Sequence, residues 1–197
     1  MAPCGIAASP VTRACRDLFD YWRALPQLGG RLPLRAQIDP GALRTLLPYL
    51  QIMERLDAGT VVMRLAGTAL RQLYGMEMTG RDMLDLVPPS HRPTRRWRVA
   101  TAAAHPCGMV YSREQRYPSG AVDEVETLFL PLAVAGDPPE APARQFIGLA
   151  ASKSGRRWIA EEHGTLLAPH DFRFVDIGYG IPATIDPPGE PPEPDGA

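Results

Sequence analysis

Lysine is nearly absent from this chain: of 21 basic residues in 197, Lys153 alone is not arginine. An excess of charge of either sign is absent too. The formal net charge is −1, so no global field draws the protein to nucleic acid or to an acidic membrane. The acidic end holds Asp186, Glu190, Glu193 and Asp195 and no base. The rest of the chain therefore has 21 basic against 18 acidic residues, too small an excess for a nucleic-acid-binding protein.

Cysteine is scarce and scattered. Cys4, Cys15 and Cys107 form no CxxC pair and have no matched histidine spacing, which argues against a disulfide framework or a structural zinc site and for reduced thiols. No apolar run approaches the roughly 18–20 residues of a membrane span. The start, MAPCGIAASPVTRAC, has neither a basic n-region nor an apolar core, so no secretion signal is expected. These absences describe a soluble, cytoplasmic protein.

Catalytic signatures are missing as well. There is no GxSxG, no glycine-rich phosphate loop, no HExxH and no CxxCH. His91, His105, His163 and His170 share no ligand spacing, so no metal or cofactor is expected; an axial haem role for His105, just before Pro106, is the weak alternative. Glu124 and Glu126 share one strand face beside a turn, where acids ordinarily face solvent. The protein is read as a non-enzyme.

Proline and glycine are plentiful, at 22 and 18 residues, and they punctuate the chain. Residues 1–13 read as a flexible start. Leu18, Tyr21, Trp22 and Leu25 then fall at i, i+3, i+4, i+7, the apolar stripe of an amphipathic helix that Pro26 ends. A Gly29-Gly30 turn and an extended stretch follow. Asp39 and Pro40 predict a helix through about Leu47. Strands are expected at 49–56 and 60–66, a short helix from Gly67-Thr68 to Gly75, and a longer helix at 91–104 capped by Ser90. Two more strands, 107–117 and 121–134, flank Pro118-Ser119-Gly120; within the second, Leu128, Leu130, Leu132 and Val134 alternate as a core face. The proline-rich insert GDPPEAPARQ reads as a solvent loop before a last strand at 146–152. FRFVDIGYG fits a short strand, and residues 185–197 form a disordered, acidic, proline-rich tail.

Strands in two groups around a helical middle indicate α+β with an antiparallel sheet and short helices on one face. This order resembles the PAS fold, a five-stranded antiparallel sheet cupping a helical connection. It is similar in particular to a bacterial family of short, stand-alone PAS-type proteins, formerly a domain of unknown function. The residues that carry the likeness are LFDYWRAL (18–25), LPLRAQIDP (32–40), LLPY (46–49), RLAGT (64–68) and GMEMTGR (75–81). The resemblance covers about 17–152. It departs at Gln37, where Asp is expected, at the long 136–145 loop, and at residues 153–197, which have no counterpart. The domain is accordingly placed at 14–152, with a C-terminal extension at 153–184.

Several motifs carry two readings. Arg64 in RLAGT pairs with a carboxylate and Thr68 caps the following helix, or both line the cup; Gly80 supplies a positive-φ turn. Met63, Met76, Met78, Met83 and Met109 either fill an irregular core or form an adaptable pocket. With Thr68, Tyr74, Trp97 and Tyr111, three of them (Met63, Met83 and Met109) are the candidate ligand-binding residues. Arg92, Arg95, Arg96 and Arg98 form a solvated helix face pairing with Asp82, Asp85 and Glu114, or a phosphate-contacting stripe.

The resemblance implies a sensory or interaction module that binds a small apolar ligand. It would act in trans on a signalling partner such as a histidine kinase, with Leu18, Tyr21, Trp22 and Leu25 covering the sheet or joining a homodimer; neither a membrane nor nucleic acid is expected as a partner. The alternatives are a small-molecule-modifying enzyme using His105, Tyr111 or Glu114, and an adaptor binding nucleic acid through the Arg92–Arg98 face.

Overall fold

Helix α1 spans Arg13–Ala24 in the computed structural model, which describes residues 10–27, 32–57, 59–158 and 164–187. Thr12 is its N-cap: the hydroxyl accepts the Cys15 N–H at 3.3 Å. Cys4, the Gly29-Gly30 turn, His163 and the tail acids Glu190, Glu193 and Asp195 lie outside the described residues.

The helix expected from Asp39 does not form. Asp39 instead turns back on itself, its carboxylate accepting the Gly41 N–H at 2.8 Å. Residues 40–46 are turns that run into a 3-10 turn at Leu47–Tyr49. Pro40, Gly41 and Pro48 crowd this stretch, and i→i+3 bonds such as Leu46 N–H to Leu43 carbonyl replace an α-helical ladder.

Strands β1 (Leu50–Arg55) and β2 (Val61–Ala66) precede helix α2 (Thr68–Tyr74) and a 3-10 turn at Met83–Leu86. Helix α3 (Arg92–Ala104) leads into β3 (Gly108–Arg116), β4 (Val122–Leu132), β5 (Gln145–Ser152) and β6 (Thr165–Val175). The cap residues differ from expectation. Gly67, not Thr68, is the N-cap of α2, because its backbone lies so close to Leu47 and Pro48 that a Cβ would sit 2.3 Å from their carbonyl oxygens. His91, not Ser90, precedes α3: Pro88 and Pro89 draw Ser90 into a short 3-10 turn of its own. Gly75 ends α2 at φ 68°, the left-handed conformation that only glycine adopts freely.

All six strands pair antiparallel in the order β2-β1-β5-β4-β3-β6. The fold is thus α+β with an N-terminal amphipathic helix, as expected. The sheet has a sixth strand beyond the five anticipated: β6 comes from the C-terminal extension and pairs with the free edge of β3. Its FRFV core alternates Phe172 and Phe174 inward, which is why this stretch of the extension is held to the sheet.

Both faces of the sheet are covered. On the outer face Val110, Leu128, Leu130, Ile147 and Leu149 pack against Cys15, Leu18 and Trp22 of α1. On the inner face Met53, Met63, Met109, Phe129 and Phe146 meet Val99, Ala102 and Ala103 of α3. Leu70 and Leu73 of α2 close over Val125, Ala150 and Trp158 beside them.

Candidate functional site

Strand alternation decides which side chains share the inner face. On β3 these are Met109, Tyr111 and Arg113; opposite them on β4 lie Phe129, Thr127 and Val125. Six of the seven ligand-binding candidates join one cluster here. Met63, Met83, Met109 and Tyr111 are buried in it, and Tyr74 and Trp97 pack against it partly exposed, Trp97 within 6.4 Å of the Phe174 ring. Thr68, on the first turn of α2, is exposed.

The polar centre of the cluster is Tyr111. Arg95 of α3 donates to its hydroxyl at 2.7 Å and lies 4.2 Å from its ring centre; the Arg113 guanidinium lies 5.4 Å away on the β3 side. Burial pushes the Tyr111 phenol up, but the two guanidiniums and hydrogen bonds with Arg95 and Thr127 outweigh it, leaving the phenol below the ordinary tyrosine value. Tyr74 has the reverse balance: burial dominates and pushes it up to about 12.

The arginines of α3 are therefore not the solvated stripe anticipated. Arg95 and Arg98 are buried. Arg98 lies over Phe172 at 4.2 Å, donates to the Ile185 carbonyl at 3.0 Å and pairs with Asp186 at 2.6 Å. Arg92 donates to the Val87 carbonyl and Arg96 to that of Gly59. Nor are the expected acids their partners: Asp82 accepts the N–H groups of Val61 and Leu84, and Glu114 pairs with Arg116. The missed signal was helical. Arg95, Arg98, Val99 and Ala102 fall at i, i+3, i+4, i+7, so two arginines share the stripe that carries the core residues. Arg113 was missed on the same principle, since it alternates with Tyr111 and Met109.

Arg64 pairs with Glu54 at 2.6 Å, the carboxylate partner expected of it, and Gly80 takes φ 86°. Glu126 breaks the expectation of a solvent-facing acid. It is 1% exposed and sits beneath the start of α1. Leu18 and Trp22 are buried against the chain's own sheet, with the Trp22 indole N–H donating to the Pro131 carbonyl at 3.0 Å. Tyr21 and Leu25 keep part of their surface, and the Tyr21 hydroxyl accepts the Asp39 N–H at 2.7 Å.

Two of the residues considered for catalysis are set apart: Tyr111 faces inward, and Glu114, three positions on, faces the opposite side of β3. Among the described residues no three His, Cys, Asp or Glu side chains gather as metal ligands, and no helix is long and apolar enough to cross a membrane. The proline-rich 136–145 stretch does more than cross solvent. With Leu32, Leu34 and the end of α3 it walls a cavity of about 500 Å3, which borders the inner cluster at Ala103 and Ala143.

A family model of the PAS domain matches residues 11–148. No curated protein matches the chain. Among solved structures, a light-oxygen-voltage domain studied with a flavin analogue is 15% identical, with a TM-score of 0.40 over 57% of this chain and 82% of that one. The VqmA–ligand–DNA complex of Vibrio cholera is 16% identical, with a TM-score of 0.37 over 56% of this chain and 49% of that one.

Proposed function

The chain belongs to the PAS domain family, and we propose that it is a non-catalytic sensory and protein-interaction module of bacterial signal transduction. It takes a small ligand on the inner face of its sheet and acts on a cytoplasmic signalling partner such as a histidine kinase or regulator. The observation that supports this reading is the make-up of the inner cluster. Methionines, which adapt to varied apolar shapes, share a cluster with a buried tyrosine that two buried arginines approach. A core that served stability alone gains nothing from desolvated cations.

Ligand entry by way of the cavity at Ala103 and Ala143 would bear on α3, which carries Arg95. A ligand that binds one packing of α3 better than another shifts the population towards it. Of the α1 residues proposed for pairing in a homodimer, Tyr21 and Leu25 are the ones with surface to offer.

Native mass spectrometry of the freshly purified chain, beside a denatured run, tests the reading. The expected result is a reproducible increment of small-molecule size, on the monomer or dimer mass, that is lost on denaturation. A bare native mass from a protein whose Tm no small-molecule panel raises would overturn the ligand-binding half and leave a protein–protein module.

A further inference from the structure

We propose that Arg95 and Arg113 form a buried anion site for the carboxylate of a small organic acid with an apolar body; this rests on the ligand-binding reading above and names its ligand class. Arg95 is 5% and Arg113 6% exposed. A guanidinium stays charged in a protein, so its burial demands an answering charge. Arg98, equally buried, has one in Asp186. For Arg95 and Arg113 no carboxylate stands within ion-pair distance among the described residues: the inward acid of β4, Asp123, accepts the hydroxyls of Ser152 and Ser154 instead.

The pair also has donors left over. The Arg113 Nε is buried with no hydrogen-bond partner, and Arg95 uses one guanidinium nitrogen on the Tyr111 hydroxyl. Two planar forks suit the two oxygens of a carboxylate. Met63, Met109 and Phe129 of the same face add hydrocarbon and thioether surface. Such a wall accepts an apolar body and rejects a strongly hydrated dianion such as phosphate. Gln51, fully buried across the sheet on β1, has neither amide atom partnered and offers a polar contact to the far end of the acid.

The test is thermal-shift titration of the full chain with benzoate and octanoate against benzamide and octanamide, with phosphate as inorganic control, all at one ionic strength. The expected result is a rise in Tm with the acids and not with the amides or phosphate. Arg113→Met and Arg95→Met, which keep volume and drop charge, should weaken the response at least tenfold at unchanged circular dichroism, and Arg113→Lys should fall between. Acids and amides acting alike, phosphate acting as well as the acids, or an undiminished response in Arg113→Met would each overturn the anion site. So would an absence of response to every acid, or a phenolate absorbance at neutral pH that Tyr111→Phe removes, since the chain would then supply its own anion. A native-mass increment that persists in Arg113→Met separates these failures from failure of the sensory reading.

Discussion

Glu126 of β4 holds Thr12 twice, its Oε2 accepting both the backbone N–H and the hydroxyl of that residue at 2.7 Å, while Oε1 takes the Val11 N–H at 2.7 Å. One buried carboxylate thereby ties the start of α1 to the outer face of the sheet, where helix N-terminal N–H groups favour negative charge. Hydrogen bonds to a charged group contribute roughly 1.5–3 kcal/mol each, and they are not additive. Glu126→Ala should cost about 3 kcal/mol in urea unfolding, and Glu126→Gln about half as much. Hydrogen exchange should quicken over residues 11–24 ahead of the strands; uniform exchange would mean that α1 is held chiefly by Leu18 and Trp22.

Close approach, not conformation, restricts Gly67. Its φ is an ordinary −64°, yet a Cβ would lie 2.3 Å from two carbonyl oxygens. Gly67→Ala should lose upwards of about 2 kcal/mol, since backbone atoms cannot swing aside. Gly80→Ala meets nothing within 4 Å but keeps φ 86°, and should lose about 1 kcal/mol. Equal urea midpoints for the two variants would contradict this ranking.

Acid titration of a Glu54 variant should isolate the contribution of its carboxylate. Burial alone raises its carboxyl, but the Arg64 hydrogen bond and the charges of Arg64 and Arg144 bring it below the ordinary 4.5. The folded value lies under the unfolded one, so the contribution is complete above the unfolded pKa and fades as pH falls through the folded pKa. Glu54→Gln should be less stable than wild type by about 1 kcal/mol at pH 7, because both arginines are half exposed. That gap should narrow as the pH falls through the lowered folded pKa of Glu54. A gap that stays constant down to pH 3 would show that packing, not charge, is lost.

The thiols of Cys15 and Cys107 should be inert in the folded protein. Burial raises both, Cys107 to about 12 with a further push from Asp176, and Cys15 higher still with the Glu126 charge adding to burial. A thiol reagent at pH 8 should label neither until denaturant is added. Fast labelling of Cys15 would reveal opening of α1 from the sheet.

Much of the architecture was legible because its signals are local. The Leu18–Leu25 stripe and the alternation from Leu128 to Leu132 each recur within one element, and both faces proved to be core. Six of the seven residues singled out for a pocket, chosen as methionines and aromatics, meet in one cluster because such side chains are buried together. The 39–47 segment failed because capping signals were read without weighing the glycine and prolines that follow. Arg95 and Glu126 look like solvent residues on their chemistry, and Arg113 carries no motif that singles it out, although the spacing of all three already places them beside core residues.

By itself the sequence determined the α+β class, the amphipathic first helix and the alternation of β4, since periodicity needs no knowledge of neighbours. Tertiary structure alone decided what meets the buried charges. Arg98 finds Asp186 from 88 positions away, Glu126 finds Thr12 from 114, and Arg95 and Arg113 converge on one tyrosine. A pattern of residues says which side of an element is turned inward; what covers that side depends on how the chain returns in space, and with it whether a buried charge is answered.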